Sequence, residues 1–502
     1  MWQGKRRRYR REDASGTVSM EPKFPATAVA TLRQQLTGEA VLAGDDKYHL
    51  ARQGFVVNFQ AFPEIIVYCA VISDVAAALE FACAWDLRPV CRAGGHNTAG
   101  FCNNNDLVID VGRMNDVVVD VERRRVTAGA GASMGKLNAA LDTFALHVPA
   151  GGCSDVAVGG YMQGGGYGFT SQIYGLNCDN AIEALVMLAD GTLLRASESE
   201  NEDLFWAVRG GTGNNFGVLL QVTYKLHDPG PLWGFGFNWP LAGGAEQRER
   251  AAAALEAVQN GFTGEATPTG VGHQTGLNFV DGAPSMFLRG IFRGTPESGR
   301  RALAPLFELG GAFDIDKVDR YAALSDYLES NPDVPQIAPH TRTVADSRIT
   351  ERLLRKEEWA TLLEMFVASP NGANFIHLES YGGAIRKVAP TATAFWHRLA
   401  RFDVFTWVFW QNERQEAATR NYLEAFRRVM APLSNGHACQ NYPNRDSADY
   451  RWMYWGENFP RLLAVKDRYD PDQLFDFEQA ISADPPGSPP APNRQAAPQG
   501  QP

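Results

Sequence analysis

Two glycine-rich stretches of the sequence each contain one side chain that can act as a nucleophile. Residues 92–100 contain His96, and residues 151–168 contain Cys153. Because glycine lacks a Cβ atom, the backbone N–H groups of such stretches can converge on a bound anion or a flat ring. An isolated Gly-Gly pair is usually a turn between strands, whereas two dense clusters in one chain favour loops that bind a phosphate-bearing cofactor.

The common nucleotide-binding and metal-binding patterns do not fit this sequence. A Rossmann fingerprint needs GxGxxG between a strand and a helix, and residues 94–96 do not supply it. Residues 131–137 resemble a Walker A loop, but Ala130 replaces its first glycine and Leu137 replaces its Ser or Thr. The nine histidines have no HxxxH or HExxH spacing and the seven cysteines no CxxC spacing, so we predict no metal site and no disulfide framework.

Several longer motifs resemble one known family. The motifs are RAGGHNTAG, PAGGCSDVAVGGYMQGGGYG, RGGTGNNFGV, QNYPN and YDPDQLFDFEQAI. They are similar to the berberine-bridge-enzyme-like branch of the FAD-linked oxidases, which share the vanillyl-alcohol-oxidase or PCMH-type fold, and the resemblance spans roughly residues 40–481. It implies an α+β, two-domain FAD-binding fold whose substrate domain is a large antiparallel sheet flanked by helices. It also implies FAD-binding parts at 25–230 and 430–481, with the substrate-binding domain at 231–429.

The resemblance implies that FAD is attached to the protein at two points. His96 would be joined to the 8α carbon of the flavin and Cys153 to C6. A neutral imidazole and a thiolate are nucleophiles available near neutral pH, which makes both bonds chemically reasonable. Without the family motifs, a hydrogen-bonded turn histidine and a buried structural thiol would be preferred. Further cofactor-binding residues implied by the resemblance are Arg92, Ala93, Gly94, Gly95, Asn97, Gly152, Val156, Gly159, Gly160, Gly165, Gly168, Asn214, Gly217, Val218 and Tyr442.

One position bears on the electron acceptor. Val156 matches the family's gate near flavin C4a, and a small β-branched residue there resembles the oxygen-reactive members. We therefore expect an oxidase that uses molecular oxygen and acts on an alcohol, a sugar or a secondary metabolite. The alternatives are a flavin dehydrogenase with another acceptor and a flavin-carrying binding protein without turnover.

The residue that the family would use as the base is replaced in this sequence. Oxidation of an alcohol by hydride transfer to flavin N5 needs a group that removes the hydroxyl proton. The resemblance points to Tyr167 and to the tyrosine that opens a Tyr-x-Asn motif near the C-terminus. In this sequence Cys439 stands at that tyrosine position, two residues before Asn441. In an extended segment Tyr442 would face away from residues 439 and 441, so we do not expect it to replace the missing tyrosine.

Three interpretations of Cys439 remain open. It could be a reactive thiol, since a thiol ionises more easily than a phenol. It could instead make room for a bulkier substrate while Tyr167 or a group of the substrate domain moves the proton. In the third interpretation, the protein carries flavin for a different oxidative or isomerising step.

The remaining sequence predicts the elements that position these residues. Residues 246–260 are typical of a helix, and apolar alternation over 402–408 predicts a strand with one buried face. The aromatic-rich segment 405–411 is a candidate wall of the substrate site. Within it, packing is the favoured role of Trp407 and Trp410.

Composition and charge limit the class of protein. A 502-residue chain suggests roughly two to three domains, and its net charge of −10 argues against a nucleic-acid partner. No apolar run is long enough for a signal peptide or a membrane span, so we expect a cytoplasmic protein with a small-molecule substrate and no membrane partner. Residues 1–24 are predicted to be a basic flexible N-terminus and 482–502 a disordered proline-rich tail. The oligomeric state stays open.

Overall fold

The computed structural model describes residues 23–330 and 342–483. Nearly all of the basic N-terminus at 1–24 and of the proline-rich tail at 482–502 therefore lies outside the described residues. None of the helices within these two ranges has both the length and the apolar character needed to cross a bilayer.

The first sheet combines parallel and antiparallel pairing. Its strands are β1 (Glu39–Leu42), β2 (Ile65–Tyr68), β3 (Pro89–Arg92) and β4 (Leu107–Asp110) in the order β1-β2-β4-β3. Helices of this region are α1 (Ala26–Gln35), α2 (Tyr48–Ala51) and α3 (Ile72–Ala84). Since β2 and β3 both run parallel to β4, their carboxyl ends meet at one edge of the sheet. The stretch containing His96 leaves the sheet at that edge, directly after β3.

The second sheet is antiparallel. Its strands are β5 (Val117–Asp120), β6 (Arg125–Gly129), β7 (Ala181–Met187), β8 (Leu193–Ser197) and β9 (Val218–Lys225) in the order β5-β6-β9-β7-β8. Its helices are α4 (Met134–Asp142), α5 (Val158–Gln163), α6 (Ser171–Tyr174), α7 (Asn177–Asn180) and α8 (Glu202–Val208). Strands β6 and β7 are separated by β9, so the chain between them must cross the sheet. That crossover contains Cys153.

The third sheet is the large antiparallel sheet that the family resemblance implies. Its strands are β10 (Leu232–Pro240), β11 (Val271–Val280), β12 (Ala283–Arg293), β13 (Ala312–Val318), β14 (Arg342–Thr350), β15 (Phe375–Ser380) and β16 (Phe402–Trp410) in the order β13-β10-β12-β11-β15-β16-β14. Its helices are α9 (Ala245–Phe262), α10 (Pro296–Ala302), α11 (Ala304–Phe307), α12 (Tyr321–Ser330), α13 (Lys356–Val367) and α14 (Glu413–Met430). The helix predicted at 246–260 is confirmed as α9.

The two faces of the large sheet have different roles. Ile376, Leu378 and Val404 pack with Trp359 of α13 in the core under the helices. Because side chains alternate along a strand, the residues between them face the other way, and several of these line a cavity. The predicted strand is confirmed as β16, but the expectation of one buried face is wrong, since all nine of its residues are buried.

The C-terminal segment packs back onto the first half of the chain. It contains α15 (Tyr450–Trp455), a 3₁₀ turn at Gly456–Asn458 and α16 (Phe459–Tyr469). The buried Lys466 Nζ donates to the carbonyl oxygens of Asn215 and Phe475 and to Asp470 Oδ2. These contacts are consistent with a discontinuous FAD-binding domain, whose boundaries at 25–230 and 430–481 stay a prediction.

Candidate functional site

A cavity of about 520 Å³ is enclosed by the two glycine-rich stretches, the large sheet and the C-terminal segment. Its volume is typical of a site for a small molecule or cofactor. His96 and Cys153 both line it, although they belong to loops from different sheets. Most of the other predicted site residues line it too, namely Ala93, Gly94, Gly95, Asn97, Gly152, Val156, Gly159, Gly160, Tyr167, Gly168, Asn214, Gly217, Cys439, Asn441 and Tyr442.

Three predicted cofactor-binding residues do not line the cavity. Arg92 is buried at the end of β3, where its Nε donates to Asp110 Oδ2 at 2.5 Å. Gly165 has a φ of +112°, and an added Cβ would meet the ring of Phe395. Val218 begins β9 and is buried in the hydrophobic core. Their contact with the cofactor stays a prediction, and in this structure these residues support the loops that line the cavity.

His96 is held against aromatic rings. Its imidazole stacks on Phe55 with ring centroids 3.9 Å apart, and Trp407 lies 6.3 Å away. Burial lowers the pKa of His96, and the nearby Asp155 carboxylate opposes this only in part. The imidazole is therefore neutral near pH 7 and keeps the nitrogen lone pair that a bond to carbon requires.

Cys153 faces the open cavity but is surrounded by protein. Desolvation in this position, together with the Glu329 and Asp155 carboxyls, raises the pKa of the Cys153 thiol. Glu329 of α12 packs directly on the loop, because an added Cβ at Gly152 would overlap its carboxyl. These surroundings disfavour ionisation of the Cys153 thiol.

The cavity wall fits a flavin dinucleotide. Gly160, near the start of α5, faces open space, with no atom within 4 Å of the position that a Cβ would take. Among the lining residues of the described ranges there is no lysine or arginine. An anionic pyrophosphate would therefore be held by backbone N–H groups of the glycine loops, as such loops allow. Within the same ranges no three His, Cys, Asp or Glu side chains are arranged to hold a metal ion.

The segment around Cys439 turns instead of running straight. Tyr442 N donates to the carbonyl oxygen of Cys439 at 3.0 Å, which closes a turn over residues 439–442. Cys439, Asn441 and Tyr442 consequently all line the cavity. The expectation that Tyr442 would face away is wrong, because it assumed an extended backbone. Asn441 Nδ2 donates to the carbonyl oxygen of Tyr161 at 3.3 Å.

Cys439 belongs to a buried network on the cavity wall. Its N–H donates to Ser347 Oγ at 2.8 Å, and Ser347 Oγ donates to Asp403 Oδ1 at 2.6 Å. Burial raises the pKa of the Asp403 carboxyl to about 7, opposed by hydrogen bonds from Ser347 and from the Cys439 thiol. Burial and the Asp403 and Glu379 carboxyls raise the pKa of Cys439 well above its ordinary value. This environment disfavours the thiolate that a reactive Cys439 would need.

The two tyrosines of the site differ in what their hydroxyls contact. Tyr167 Oη donates to the carbonyl oxygen of His273 at 2.8 Å and accepts from Ser380 N at 3.0 Å. Tyr442 Oη donates to Glu379 Oε1 at 2.5 Å. Tyr167 is thus fixed between two backbone groups, whereas Tyr442 is paired with an ionisable side chain.

Sequence reasoning missed the polar side chains of the large sheet. His377 and Glu379 of β15 and Gln274 of β11 line the cavity, as does Glu329. A histidine and a glutamate alternating with apolar residues in β15 are the signal that could have identified this face. Of the candidate aromatic wall, Phe405 and Trp407 line the cavity, whereas Trp410 lies in the core under the helices. The preference for packing holds for Trp410, and Trp407 both packs in a buried aromatic cluster with Phe375 and Phe409 and lines the cavity.

Comparisons with known proteins agree with this arrangement. A family model described as "FAD binding domain" matches residues 63–197, and one described as "Berberine and berberine like" matches residues 440–482. The uncharacterized FAD-linked oxidoreductase YvdP of Bacillus subtilis is 30% identical over 453 residues, covering 89% of this chain and 98% of the relative. A carbohydrate oxidase of Microdochium nivale is 26% identical over 470 residues, covering 88% and 92%.

Solved structures share the fold. BBE-like 1 of Physcomitrella patens superposes with a TM-score of 0.81 at 23% identity, covering 91% of this chain and 99% of the other. The Microdochium nivale carbohydrate oxidase, in complex with a substrate analogue, superposes with a TM-score of 0.80 at 23% identity, covering 90% and 99%. At these identities the likeness establishes a two-domain α+β fold of the PCMH type.

Proposed function

Because the chain belongs to the berberine-bridge-enzyme-like FAD-linked oxidoreductases, we propose that it is an oxidase carrying FAD attached through both His96 and Cys153. Its substrate is an alcohol, a sugar or a secondary metabolite, and its electron acceptor is molecular oxygen. One observation supports this most directly. His96 and Cys153, which come from loops of different sheets, line the same cavity as the polar face of a third sheet.

The residues around the cavity have separate tasks in this proposal. Bound FAD supplies a two-electron acceptor for the hydride of the substrate. The neutral imidazole of His96 and the thiol of Cys153 anchor the ring, and the glycine loops hold the dinucleotide through backbone N–H groups. Tyr167, hydrogen-bonded to backbone groups of the interior strands β11 and β15, orients the large sheet against the cofactor.

The wall opposite the glycine loops would bind the substrate. Phe405 and Trp407 offer flat apolar surfaces on which a sugar or phenolic ring can stack. Gln274, His377 and Glu379 offer hydrogen bonds to hydroxyl groups from the same face. Because a relative is a carbohydrate oxidase, sugars are the first substrate class to test.

Val156 is assigned as the residue that lets oxygen reach the flavin. Its side chain lines the cavity close to Cys153 and is small and β-branched. In the family resemblance, such a residue at this position accompanies reaction with oxygen. Rapid return of the yellow colour on exposure of the reduced protein to air, with hydrogen peroxide formed, would support the oxidase. Slow return would favour a dehydrogenase with another acceptor.

Two measurements test the proposal. The mass of the denatured chain should exceed that of the polypeptide by one FAD, because neither bond is broken by unfolding. Anaerobic mixing with panels of sugars, alcohols and phenols should bleach the flavin with at least one class. A bare polypeptide mass contradicts covalent attachment, and a flavin that no panel bleaches favours a binding protein without turnover.

A further inference from the structure

A half-buried carboxyl lies beside the proposed anchor Cys153. Glu329, near the end of α12, lines the cavity together with Cys153, and a Cβ at Gly152 would overlap its carboxyl. We propose that Glu329 is a positioning residue that acts through Cys153. Its carboxylate keeps the thiol protonated, so that the sulfur bonds to the flavin held beside it and is spared by hydrogen peroxide. The proposal rests on the function given above, which supplies both the flavin and the peroxide.

The start of α12 is fixed to the chain that leads into the Cys153 loop. Tyr321 Oη donates to the carbonyl oxygen of Ala150 at 2.7 Å, shortly before Cys153. Ala322 N donates to Asp142 Oδ2 at the end of α4, at 3.1 Å. These contacts tie a helix of the large sheet to the glycine-rich loop, although the two are far apart in the sequence.

The end of α12 is fixed to the large sheet. Arg289 Nη1 donates to the carbonyl oxygen of Leu328 at 3.1 Å. Gln274, which is paired with Arg289 across strands β11 and β12, contributes a side-chain hydrogen bond to the Glu329 carboxyl. Because both ends of the helix are held, this carboxyl has a defined position against Gly152.

The carboxylate acts on the thiol by repulsion between like charges. A thiolate beside a carboxylate brings two negative charges together, which disfavours ionisation of the thiol. Desolvation raises the pKa of the Cys153 thiol most, followed by the carboxyls of Glu329 and Asp155. Asp155 is exposed, so solvent screens its charge, whereas Glu329 is partly covered by the sheet. Of the two carboxyls, Glu329 therefore has the stronger effect.

The charge of Glu329 itself depends on pH. Burial raises its pKa, while the hydrogen bond from Gln274 and the Arg289 guanidinium favour the ionised form. The other titratable groups that interact with Glu329 are Cys153, Tyr321 and Glu379. Repulsion of a thiolate at Cys153 is therefore present above the pKa of Glu329 and absent below it.

Two reactions compete for the sulfur of Cys153. In attachment, a sulfur–carbon bond forms to the flavin, the thiol and the ring each lose one hydrogen, and molecular oxygen takes up both hydrogens with their electrons to become hydrogen peroxide. In oxidation, the thiolate attacks hydrogen peroxide and yields a sulfenic acid and hydroxide, which removes the thiol. A ring held against the sulfur compensates by proximity for a small thiolate fraction, whereas dilute peroxide does not. A thiol that ionises rarely therefore favours attachment.

Thiol reactivity in the full-length chain without flavin tests the proposal. Protein made in riboflavin-starved cells is treated with 4,4′-dithiodipyridine, and labelling of Cys153 is followed by peptide mass spectrometry across pH. At neutral pH, Glu329→Gln should react about threefold faster than wild type, because an about tenfold larger thiolate fraction is partly offset by lower nucleophilicity. The two rates should converge at acid pH, where Glu329 of the wild type is protonated.

The matched control is Asp326→Asn, which removes an exposed carboxylate from the same helix. It should leave the labelling rate of Cys153 at the wild-type value throughout the pH range. A Glu329→Gln rate equal to wild type at neutral pH overturns the proposal, and a slower rate would mean that the carboxyl acts as a base. A faster rate that persists unchanged at acid pH also overturns it, because this would reflect access to the thiol and not charge.

Attachment of FAD after exposure to peroxide is the second measurement. In His96→Ala protein only the sulfur can hold the flavin, so this flavin-free protein is treated with hydrogen peroxide, freed of it and mixed with FAD in air. The fraction of chains that keep FAD after denaturation should fall further with Glu329→Gln than with Asp326→Asn. Equal fractions overturn the protective role. If untreated protein gains no FAD, attachment through Cys153 fails, while the labelling rates still decide the effect of Glu329 on the thiol.

Discussion

Glu379 and Asp403 are paired residues on the adjacent antiparallel strands β15 and β16, and both carboxyls are buried. Each has its own donor from the turn at 439–442, since Tyr442 donates to Glu379 and the Cys439 thiol contacts Asp403. Two buried carboxyls this close resist ionising together. The charge state of each carboxyl therefore depends on the charge state of the other, and this coupling sets the pH range in which either carboxyl takes up a proton.

Replacing Asp403 by Asn should shift the pH dependence of flavin reduction. Burial and like-charge repulsion from Asp403 raise the pKa of Glu379, so removal of the Asp403 charge lowers that pKa and lets the Glu379 carboxyl on the cavity wall ionise at lower pH. The rise of the anaerobic rate with pH should consequently begin at lower pH than in the wild type. An unchanged profile, or one displaced to higher pH, contradicts this coupling.

Replacing Cys439 by Ala should cost little activity. If Cys439 only fills space and donates to Asp403, its loss should reduce flavin reduction by much less than the about 10²–10⁴-fold expected for removal of a general base. The wild-type thiol should also react slowly with iodoacetamide at neutral pH, because burial raises its pKa. A Cys439→Ala rate reduced by the full factor expected for loss of a general base would restore the reactive-thiol interpretation.

The two proposed anchors can be separated by single substitutions. His96→Ala should leave flavin attached through sulfur, and Cys153→Ala should leave it attached through the imidazole. Both single variants should therefore keep the added mass after denaturation, and the double variant should lose it. Mass spectrometry of peptides containing residue 96 or 153 identifies each bond. Complete loss of flavin from either single variant would mean that only one residue is an anchor.

The sequence predicted the cofactor side of the site better than the substrate side. His96 and Cys153 lie in local glycine-rich motifs, so short stretches of sequence were sufficient to identify them. Glu379 and Asp403 are brought together by the register of two strands, which no local pattern specifies. Tyr442 was misjudged because one backbone hydrogen bond converts an extended segment into a turn.

A similar limit applies within the glycine-rich motifs, where not every residue lines the cavity. Arg92 and Gly165 belong to the same motifs as residues that line the cavity, but their own positions face Asp110 and Phe395 instead. A motif identifies the loop, whereas the direction of each side chain follows from packing. The large sheet was expected from the family resemblance, and the alternation of its two faces became visible only with the strand register.

Lys466 should be important for stability. Its ammonium is buried and bonded to Asp470, Asn215 and Phe475, which joins the C-terminal segment to the first half of the chain. Lys466→Met leaves Asp470 as an uncompensated buried charge, which typically costs about 3–5 kcal/mol. Urea unfolding monitored by circular dichroism measures the loss. Arg468→Gln on the same helix is the control, because its exposed ion pair with Asp203 is worth only about 0–1 kcal/mol. Equal losses for the two variants would contradict the role of Lys466.

Gly160 provides a test, separate from catalysis, of whether the start of α5 contacts the dinucleotide. Both Gly160 in α5 and Gly261 in α9 are helical glycines with open space where a Cβ would lie, but only Gly160 lines the cavity. Alanine at either position should stabilise its helix by about 0.5–1 kcal/mol. In the His96→Ala, Cys153→Ala background, where FAD should bind reversibly, Gly160→Ala should also weaken FAD binding by at least about tenfold, or 1.4 kcal/mol.

The Gly261→Ala control separates the two effects, because its added methyl group lies far from any proposed ligand. It should match Gly160→Ala in the thermal unfolding of the apoprotein and match the parent in FAD affinity by fluorescence titration. If Gly160→Ala binds FAD as tightly as Gly261→Ala, the start of α5 does not contact the dinucleotide. The backbone N–H groups that hold the pyrophosphate would then come from other loops of the same cavity, such as the loop after β3 with Gly94 and Gly95.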